Sequence, residues 1–148
     1  MKRIVFILLL VLLISSLVQA ESITRFFYAE IGRETYLLEV ADTWKKRQQG
    51  LSNRESLGRD TGMVFVFDQP ANYSFWMHQM LFPLDFIYIK EDKVVALKEK
   101  VPPPTDTKGV PRALSVKEPA DKIIELYAGE IKNNGIKIGD LITFKPAN

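Results

Sequence analysis

The sequence contains no cysteine and a single histidine among its 148 residues. The lack of cysteine excludes a disulfide scaffold, a thiol nucleophile and a lipid-modified cysteine, and one histidine excludes a zinc site built from several imidazoles. No run of lysine and arginine is interleaved with aromatic residues, so nucleic acid is not an expected partner. With 47% hydrophobic residues, 8 glycines and 8 prolines, the composition is typical of a globular protein.

A secretory signal peptide is predicted at residues 1–20. Lys2 and Arg3 precede an apolar stretch that is shorter than the roughly 20 residues needed to span a bilayer. Small or compact residues at Val18 and Ala20 suit signal peptidase, so cleavage after Ala20 is expected. Removal of this segment leaves 18 basic and 18 acidic side chains, which makes the mature chain formally neutral. We predict an exported protein, periplasmic or extracellular, that meets the membrane only if the signal segment is retained.

Residues 21–148 are predicted to form a single, mainly β domain. Runs rich in aromatic and β-branched residues at 25–31 and 35–40 flank Gly32 and indicate a hairpin. Short helices are indicated at 44–53 and 129–134, a surface loop at the proline-rich residues 101–111, and further strands at 63–67, 73–77, 84–89, 94–97, 113–116, 122–127 and 141–144. About nine short strands with one or two short helices favour an antiparallel β-sandwich or a jelly-roll-like barrel.

The densest mixture of polar and large apolar residues lies at residues 75–85. It sets Trp76, His78, Gln79 and Asp85 among apolar side chains. Polar groups among aromatic residues are typical of a pocket wall. The alternative is that the apolar residues are core, that His78 lies at the surface, and that Asp85 starts a strand.

Arg47 and Arg54 fall on one face of the first predicted helix, about two turns apart. Two guanidinium groups fixed in this way would grip a carboxylate or a phosphate of a ligand. The alternative is that they pin the helix to the sheet by pairing with internal carboxylates, for which the candidates are Asp85, Glu125 and Asp140. The sequence leaves both interpretations open.

Copper is the metal that the sequence suggests. His78 and Met80 offer the imidazole and thioether ligands that soft copper prefers. In an extended segment these two share one face while Met77 points to the other, so Met63 would have to join them from another strand. Because methionine more often fills gaps in a core, we expect no cofactor, and copper held by His78 and Met80 is the alternative.

Seven short motifs, in their order along the chain, resemble the domain of unknown function 192 family. They are Glu39-Val40-Ala41-Asp42-Thr43, Arg47-Gln48-Gln49-Gly50-Leu51-Ser52-Asn53-Arg54, Gly62-Met63-Val64-Phe65, Phe75-Trp76-Met77, Pro83-Leu84-Asp85, Glu125-Leu126 with Gly129, and Gly135-Ile136-Lys137-Ile138-Gly139-Asp140. The resemblance covers residues 36–144. It implies a compact, mainly antiparallel β fold of sandwich or jelly-roll type, commonly behind a signal peptide in bacteria and archaea, and it implies no activity.

The resemblance also supplies a candidate site. The chain departs from the family pattern at His78 and Gln79, where a lysine-like residue and an asparagine are usual. The residues carried over as a candidate site, and expected to cluster in space, are Arg47, Arg54, Met63, Trp76, Gln79 and Asp85.

From these residues we predict a small-ligand-binding or accessory module of the cell envelope. Trp76 would stack on an apolar or sugar-like ligand, Arg47 or Arg54 would anchor an anionic group, and Gln79 and Asp85 would fix the orientation. The partner would be an unknown small molecule or an envelope protein.

Two alternatives belong to other classes of protein. One is a hydrolase of small envelope metabolites, in which Asp85 is the general base or the nucleophile and the arginine pair stabilises negative charge. The other is a copper-binding protein that uses His78 and methionines such as Met80.

Overall fold

The computed structural model describes residues 24–105 and 113–147. The predicted signal peptide, residues 1–20, and most of the predicted proline-rich loop, residues 106–111, lie outside the described residues. The elements follow one another as β1 (Phe26–Ile31), β2 (Glu34–Ala41), α1 (Trp44–Gln49), β3 (Thr61–Ala71), β4 (Leu84–Lys90), β5 (Lys93–Val101), β6 (Ala120–Tyr127), α2 (Glu130–Asn133) and β7 (Ile142–Ala147). Neither described helix has the length and apolar character needed to span a membrane.

The seven strands form one mixed sheet in the order β5-β4-β6-β3-β2-β1-β7. Neighbouring strands run antiparallel except β2 and β3, which run parallel. A parallel pair requires a crossover connection, and residues 42–60, which contain α1, supply it. The chain is therefore mainly β, as predicted, but the described residues form a single sheet that does not close instead of the predicted antiparallel sandwich or barrel.

The hairpin of β1 and β2 and most of the predicted strands are confirmed. The predicted strands at 73–77 and 113–116 reduce to an isolated bridge between Phe75 and Leu114. The first of these segments turns at residues 77–80, where Gln79 has a positive φ of 55° and cannot continue a strand. Helix α1 ends before residue 53 because Gly50, its C-cap, takes a φ of 49°.

Two apolar clusters lie on opposite faces of the sheet. Along β3, Val64 belongs to the first cluster, whereas Met63 and Phe65 belong to the second, as expected for side chains that alternate along a strand. Ile131 of α2 completes the first cluster. The second is completed by non-strand residues, namely Leu51, Met77, Met80 and Phe82. Helices and loops, rather than a second sheet, therefore cover the described sheet.

Candidate functional site

A cleft of about 370 Å³ lies on the face of the sheet that carries the second cluster. Helix α1 forms one wall, the segment of residues 73–76 forms another, and the central strand β6 supplies its floor. We call it the aromatic cleft and define it by Trp44, Arg47, Phe67, Tyr73, Trp76 and Glu125.

Arg47 fastens α1 to the edge of the cleft. Its Nη1 donates hydrogen bonds to the backbone oxygens of Asp42 and Val66, both at 2.8 Å. Its guanidinium also lies over the ring of Phe67, 5.0 Å from the ring centroid. Since no residue within α1 is buried, these contacts hold a helix that has little apolar packing of its own.

Aromatic rings line the cleft at two depths. Phe67 and Tyr73 stack with centroids 3.6 Å apart, and Phe65 meets Phe75 edge to face at 4.9 Å. By contrast, the two tryptophans at the rim are 71% exposed at Trp44 and 53% exposed at Trp76. Exposed tryptophans beside a cleft offer large flat surfaces to a ligand.

Glu125 is the polar group at the floor of the cleft. It stands on β6 between Met63 of β3 and Phe86 of β4, its partners in the two neighbouring ladders, and only 4% of it is exposed. Within the described residues its carboxyl makes no hydrogen bond and no ion pair. Burial raises the pKa of Glu125 to about 8, against an opposing effect of the positive charge of Arg54. The carboxyl is therefore mostly neutral at pH 7.

The groups around Glu125 already have partners or are neutral. Arg54 donates from Nη2 to a carboxylate oxygen of Glu39 at 2.6 Å, so its charge is shared with another acid. Tyr88 has a buried hydroxyl that finds no hydrogen-bond partner among the described residues. Burial, together with the nearby Glu125, raises the pKa of Tyr88 to about 12, so the phenol stays protonated.

The six residues that the sequence predicted as a site do not all lie in one cluster. Arg47 and Trp76 line the aromatic cleft, whereas Arg54, Met63, Gln79 and Asp85 do not. Met63 is a buried member of the second cluster, beside Glu125 in the ladder. The pairing of the two arginines with internal carboxylates also takes a different form, because Arg54 pairs with Glu39 and Arg47 binds backbone oxygens.

Asp85 points away from the cleft. It is aligned with Leu126, which neighbours Glu125 on β6, so the two acids lie on opposite faces of the sheet. Its carboxylate is completely buried and accepts hydrogen bonds from the backbone N–H groups of Lys100 at 2.7 Å and of Gly129 and Ile131 at 2.9 Å. The hydrolase alternative based on Asp85 therefore stays a prediction and gains no support from this geometry.

Gln79 and His78 belong to a turn that is tied to the segment after α1. The backbone oxygen of Gln79 accepts from the N–H of Asn53 at 2.8 Å, and that of His78 accepts from the hydroxyl of Ser52 at 2.9 Å. His78 is exposed, whereas Met80 is buried in the second cluster. The imidazole and the thioether proposed for copper thus lie in different surroundings, and the copper alternative also stays a prediction.

Glu125 is the residue of the cleft whose importance the sequence did not reveal. The sequence offered it as a partner for the arginines and as part of the Glu125-Leu126 motif, but not as a site residue. The available signal was one acidic residue inside the apolar run of β6, Ile123-Ile124-Glu125-Leu126-Tyr127. A lone acid there predicts either a buried pair or a binding group, and only the fold shows that it makes no hydrogen bond within the described residues.

A larger cavity, of about 760 Å³, lies beside β5 and is walled by Pro102, Pro103 and Pro104. Among its described lining residues, no polar side chain is buried. The aromatic cleft is therefore the stronger candidate, since it combines exposed rings with a buried acid.

Solved structures of two bacterial proteins resemble this fold. A Sinorhizobium meliloti protein described as a "putative transcription regulator" is 25% identical and superposes with a TM-score of 0.72 over 82% of this chain and 93% of its own. A Novosphingobium aromaticivorans protein of unknown function is 24% identical, with a TM-score of 0.70 over 84% and 89%. The second likeness concerns the fold alone.

No curated protein matches the chain. A family model does match, over residues 28–144, which is most of the sequence. It is the model of DUF192, described as an uncharacterized ACR, and the match agrees with the resemblance that the seven motifs carry. The chain therefore belongs to the DUF192 family.

Proposed function

We propose that this protein binds a small organic ligand in the aromatic cleft. A flat or apolar part of the ligand lies against Trp44 and Trp76, and a polar group reaches the carboxyl of Glu125. The observation that carries the proposal is this carboxyl, 4% exposed and without a hydrogen bond in the described residues, at the floor of an open cleft.

Burial of that carboxyl without a hydrogen bond from the described residues costs free energy. A buried polar group without a partner costs about 1–3 kcal/mol relative to one that is hydrogen-bonded. A ligand group that hydrogen-bonds Glu125 recovers part of this free energy, and the exposed indole rings add apolar contact at the rim. The volume of about 370 Å³ lies at the lower end of the range for small-molecule sites.

The setting that we propose is the cell envelope, in which the chain acts as a binding or accessory module. This part of the proposal depends on the predicted signal peptide. Regulation of transcription, the description of the Sinorhizobium meliloti protein, would require contact with nucleic acid, for which a formally neutral mature chain is poorly suited.

The test uses three probes that share a benzyl or phenyl ring: benzyl alcohol, benzoate and benzyltrimethylammonium. The chain has two tryptophans, and both line the cleft, so both indole N–H signals in an NMR spectrum report on it. We expect at least one probe to shift these signals at millimolar concentration, and Trp76→Ala to weaken its binding by about tenfold, a loss of about 1.4 kcal/mol.

Tyr28→Ala is the matched control, because Tyr28 is an exposed aromatic residue that does not line the cleft. It should leave the affinity of the probe unchanged. If no probe shifts the indole signals, or if Tyr28→Ala and Trp76→Ala weaken binding equally, the cleft is not a ligand site.

A further inference from the structure

The described charges around the aromatic cleft leave one acid without a counter-ion. Arg47 is held by two backbone oxygens and the ring of Phe67, and Arg54 is paired with Glu39. Glu125 is the only acidic residue that lines the cleft, and it has no cationic partner in hydrogen-bond contact within the described chain.

Resting on the proposed function, we propose that the ligand is an organic cation whose ammonium group lies at Glu125, among the aromatic rings of the cleft. Primary amines and quaternary ammonium compounds belong to this class. Two independent observations support it: a buried carboxyl that makes no hydrogen bond or ion pair within the described residues, and the aromatic rings that line the same cleft.

The residue at the floor of the cleft is an acid and not an amide. A neutral hydrogen-bonding role would be served by an amide, which is nearly the same shape and is cheaper to bury than an ionisable acid. A carboxyl differs from an amide in that it becomes a negative charge. In a cleft of low polarity that charge requires a cation, and a bound ammonium group supplies it.

The walls of the aromatic cleft carry the ring types that bind cations. The faces of Trp and Tyr rings attract cations, and quaternary ammonium groups in particular are bound by cages of aromatic rings. The same attraction already operates at the edge of the cleft, where the guanidinium of Arg47 lies over Phe67. Trp44, Trp76 and Tyr73 are the further rings that line it.

Binding of a cation at Glu125 is coupled to the protonation of its carboxyl. The charged or titratable groups that face Glu125 are Arg54 with Glu39, Arg47, Tyr88 and Tyr73. Burial raises the pKa of Glu125 to about 8, so a cation that binds its ionised form displaces a proton at lower pH. The affinity for the cation therefore rises about tenfold per pH unit up to about pH 8 and then levels off.

The experiment measures the dissociation constants of benzyltrimethylammonium, benzoate and benzyl alcohol between about pH 6 and pH 9. The quaternary cation is chosen because it does not titrate. We expect its dissociation constant to fall about tenfold per unit up to about pH 8, that of benzyl alcohol to stay level, and that of benzoate to rise.

Glu125→Gln should abolish this pH dependence and weaken binding of the cation by tenfold or more at about pH 9. Glu118→Gln is the matched control, because it removes the same charge from an exposed residue outside the cleft. Its effect on the cation should be less than about twofold, since exposed charges are screened by solvent.

Two other outcomes separate the inference from the proposed function. Binding of benzyl alcohol or benzoate that depends on Trp76, without binding of the cation that depends on Glu125, overturns the inference and leaves the proposed function intact. Failure of all three probes to shift the indole signals overturns both.

Discussion

Asp85 and Glu125 are the two buried acidic residues of the described chain, and they stand on adjacent strands. Asp85 faces one side of the sheet and satisfies three backbone N–H donors, from β5 and from the start of α2. Glu125 faces the other side, and none of the residues that the structure describes donates a hydrogen bond to it. The same chemical group thus accepts three hydrogen bonds that hold the fold together at one position and lies without a described partner at the floor of a cleft at the other.

Glu125→Gln is expected to change how the stability of the protein depends on pH. Burial raises the pKa of Glu125 to about 8, so between about pH 4 and pH 8 the unfolded chain releases a proton that the folded protein keeps. The contribution of Glu125 to the free energy of unfolding is therefore full below about pH 4, falls as the pH rises, and levels off above about pH 8.

The glutamine variant lacks this fall, so relative to the unchanged protein it should gain a few kcal/mol between about pH 5 and pH 8. Urea unfolding of both proteins across this range measures the difference between their free energies of unfolding. The contributions of the other titrating groups are the same in both proteins and cancel in this difference. A difference that does not change with pH would contradict the raised pKa.

Asp85→Ala is expected to destabilise the protein by about 3–5 kcal/mol, because it leaves three N–H donors without their acceptor and two of these bonds are buried. Denaturant unfolding measures the loss. Asp68→Asn, at an exposed position of β3, is the control and should change the free energy of unfolding by less than about 0.5 kcal/mol. Equal effects of the two changes would refute the structural role of Asp85.

At the scale of elements, α1 is a short helix fixed mainly by Arg47. Arg47→Met keeps an apolar stem but removes both hydrogen bonds to the backbone oxygens of Asp42 and Val66. We expect faster amide hydrogen exchange over residues 44–52 and a loss of about 1–3 kcal/mol in the free energy of unfolding. Lys45→Met, at an exposed position of the same helix, should leave the exchange of this segment unchanged.

The contact of β3 with β6 depends on Gly62. A Cβ atom at this position would lie 2.5 Å from the backbone oxygen of Glu125 and 2.7 Å from a methyl carbon of Leu126. Gly62→Ala is therefore expected to cost about 2 kcal/mol or more, because the strand that carries Glu125 has to shift.

Gly135→Asn separates this steric effect from the effect of losing a glycine. Gly135 has a φ of 64°, which asparagine tolerates, and a Cβ there would meet nothing within 4 Å. Its cost in denaturant unfolding should be well below that of Gly62→Ala. If the two variants lose equal stability, close packing of β3 on β6 is not the cause.

The sequence predicted elements better than their arrangement. Short runs of apolar, aromatic and β-branched residues identified the hairpin of β1 and β2 and the strands β3, β4 and β6, because such runs are a local pattern. The parallel pairing of β2 with β3 was missed, since it depends on where the crossover through α1 leads the chain. The segments at 73–77 and 113–116, which are joined only by the bridge between Phe75 and Leu114, were wrongly predicted as strands, because apolar residues pack in a core loop as well as in a strand.

The candidate site was predicted in the same uneven way. Trp76 and Arg47 belong to short motifs, and both line the cleft. Asp85 belongs to an equally clear motif, but side chains alternate along β4, and its position places the carboxylate on the other face of the sheet. Glu125 stands out as a candidate only when β3 and β4 are seen on either side of it and no described residue donates a hydrogen bond to it, which is a property of three strands and not of one.

For the whole molecule, the remaining prediction is that the signal peptide, residues 1–20, is removed. The intact mass of the protein recovered from the envelope or the medium should equal that of residues 21–148, because a positively charged start and a short apolar stretch precede Ala20. Denaturing mass spectrometry measures it, and a change of Ala20 to a bulky charged residue, Ala20→Arg, should leave the uncleaved form. A full-length mass for the unchanged protein would show instead that the segment is retained.

The place of β6 in the sheet also decides when the chain folds. Before residues 120–127 are available, β1, β2 and β3 form one ladder and β4 and β5 form another, with no described strand to join them. The joining strand comes from the last fifth of the sequence, and β7 then pairs with β1 across more than a hundred intervening residues. Such distant closure is slow relative to local pairing. The two groups of strands therefore join into a single sheet only when synthesis of the chain is nearly complete.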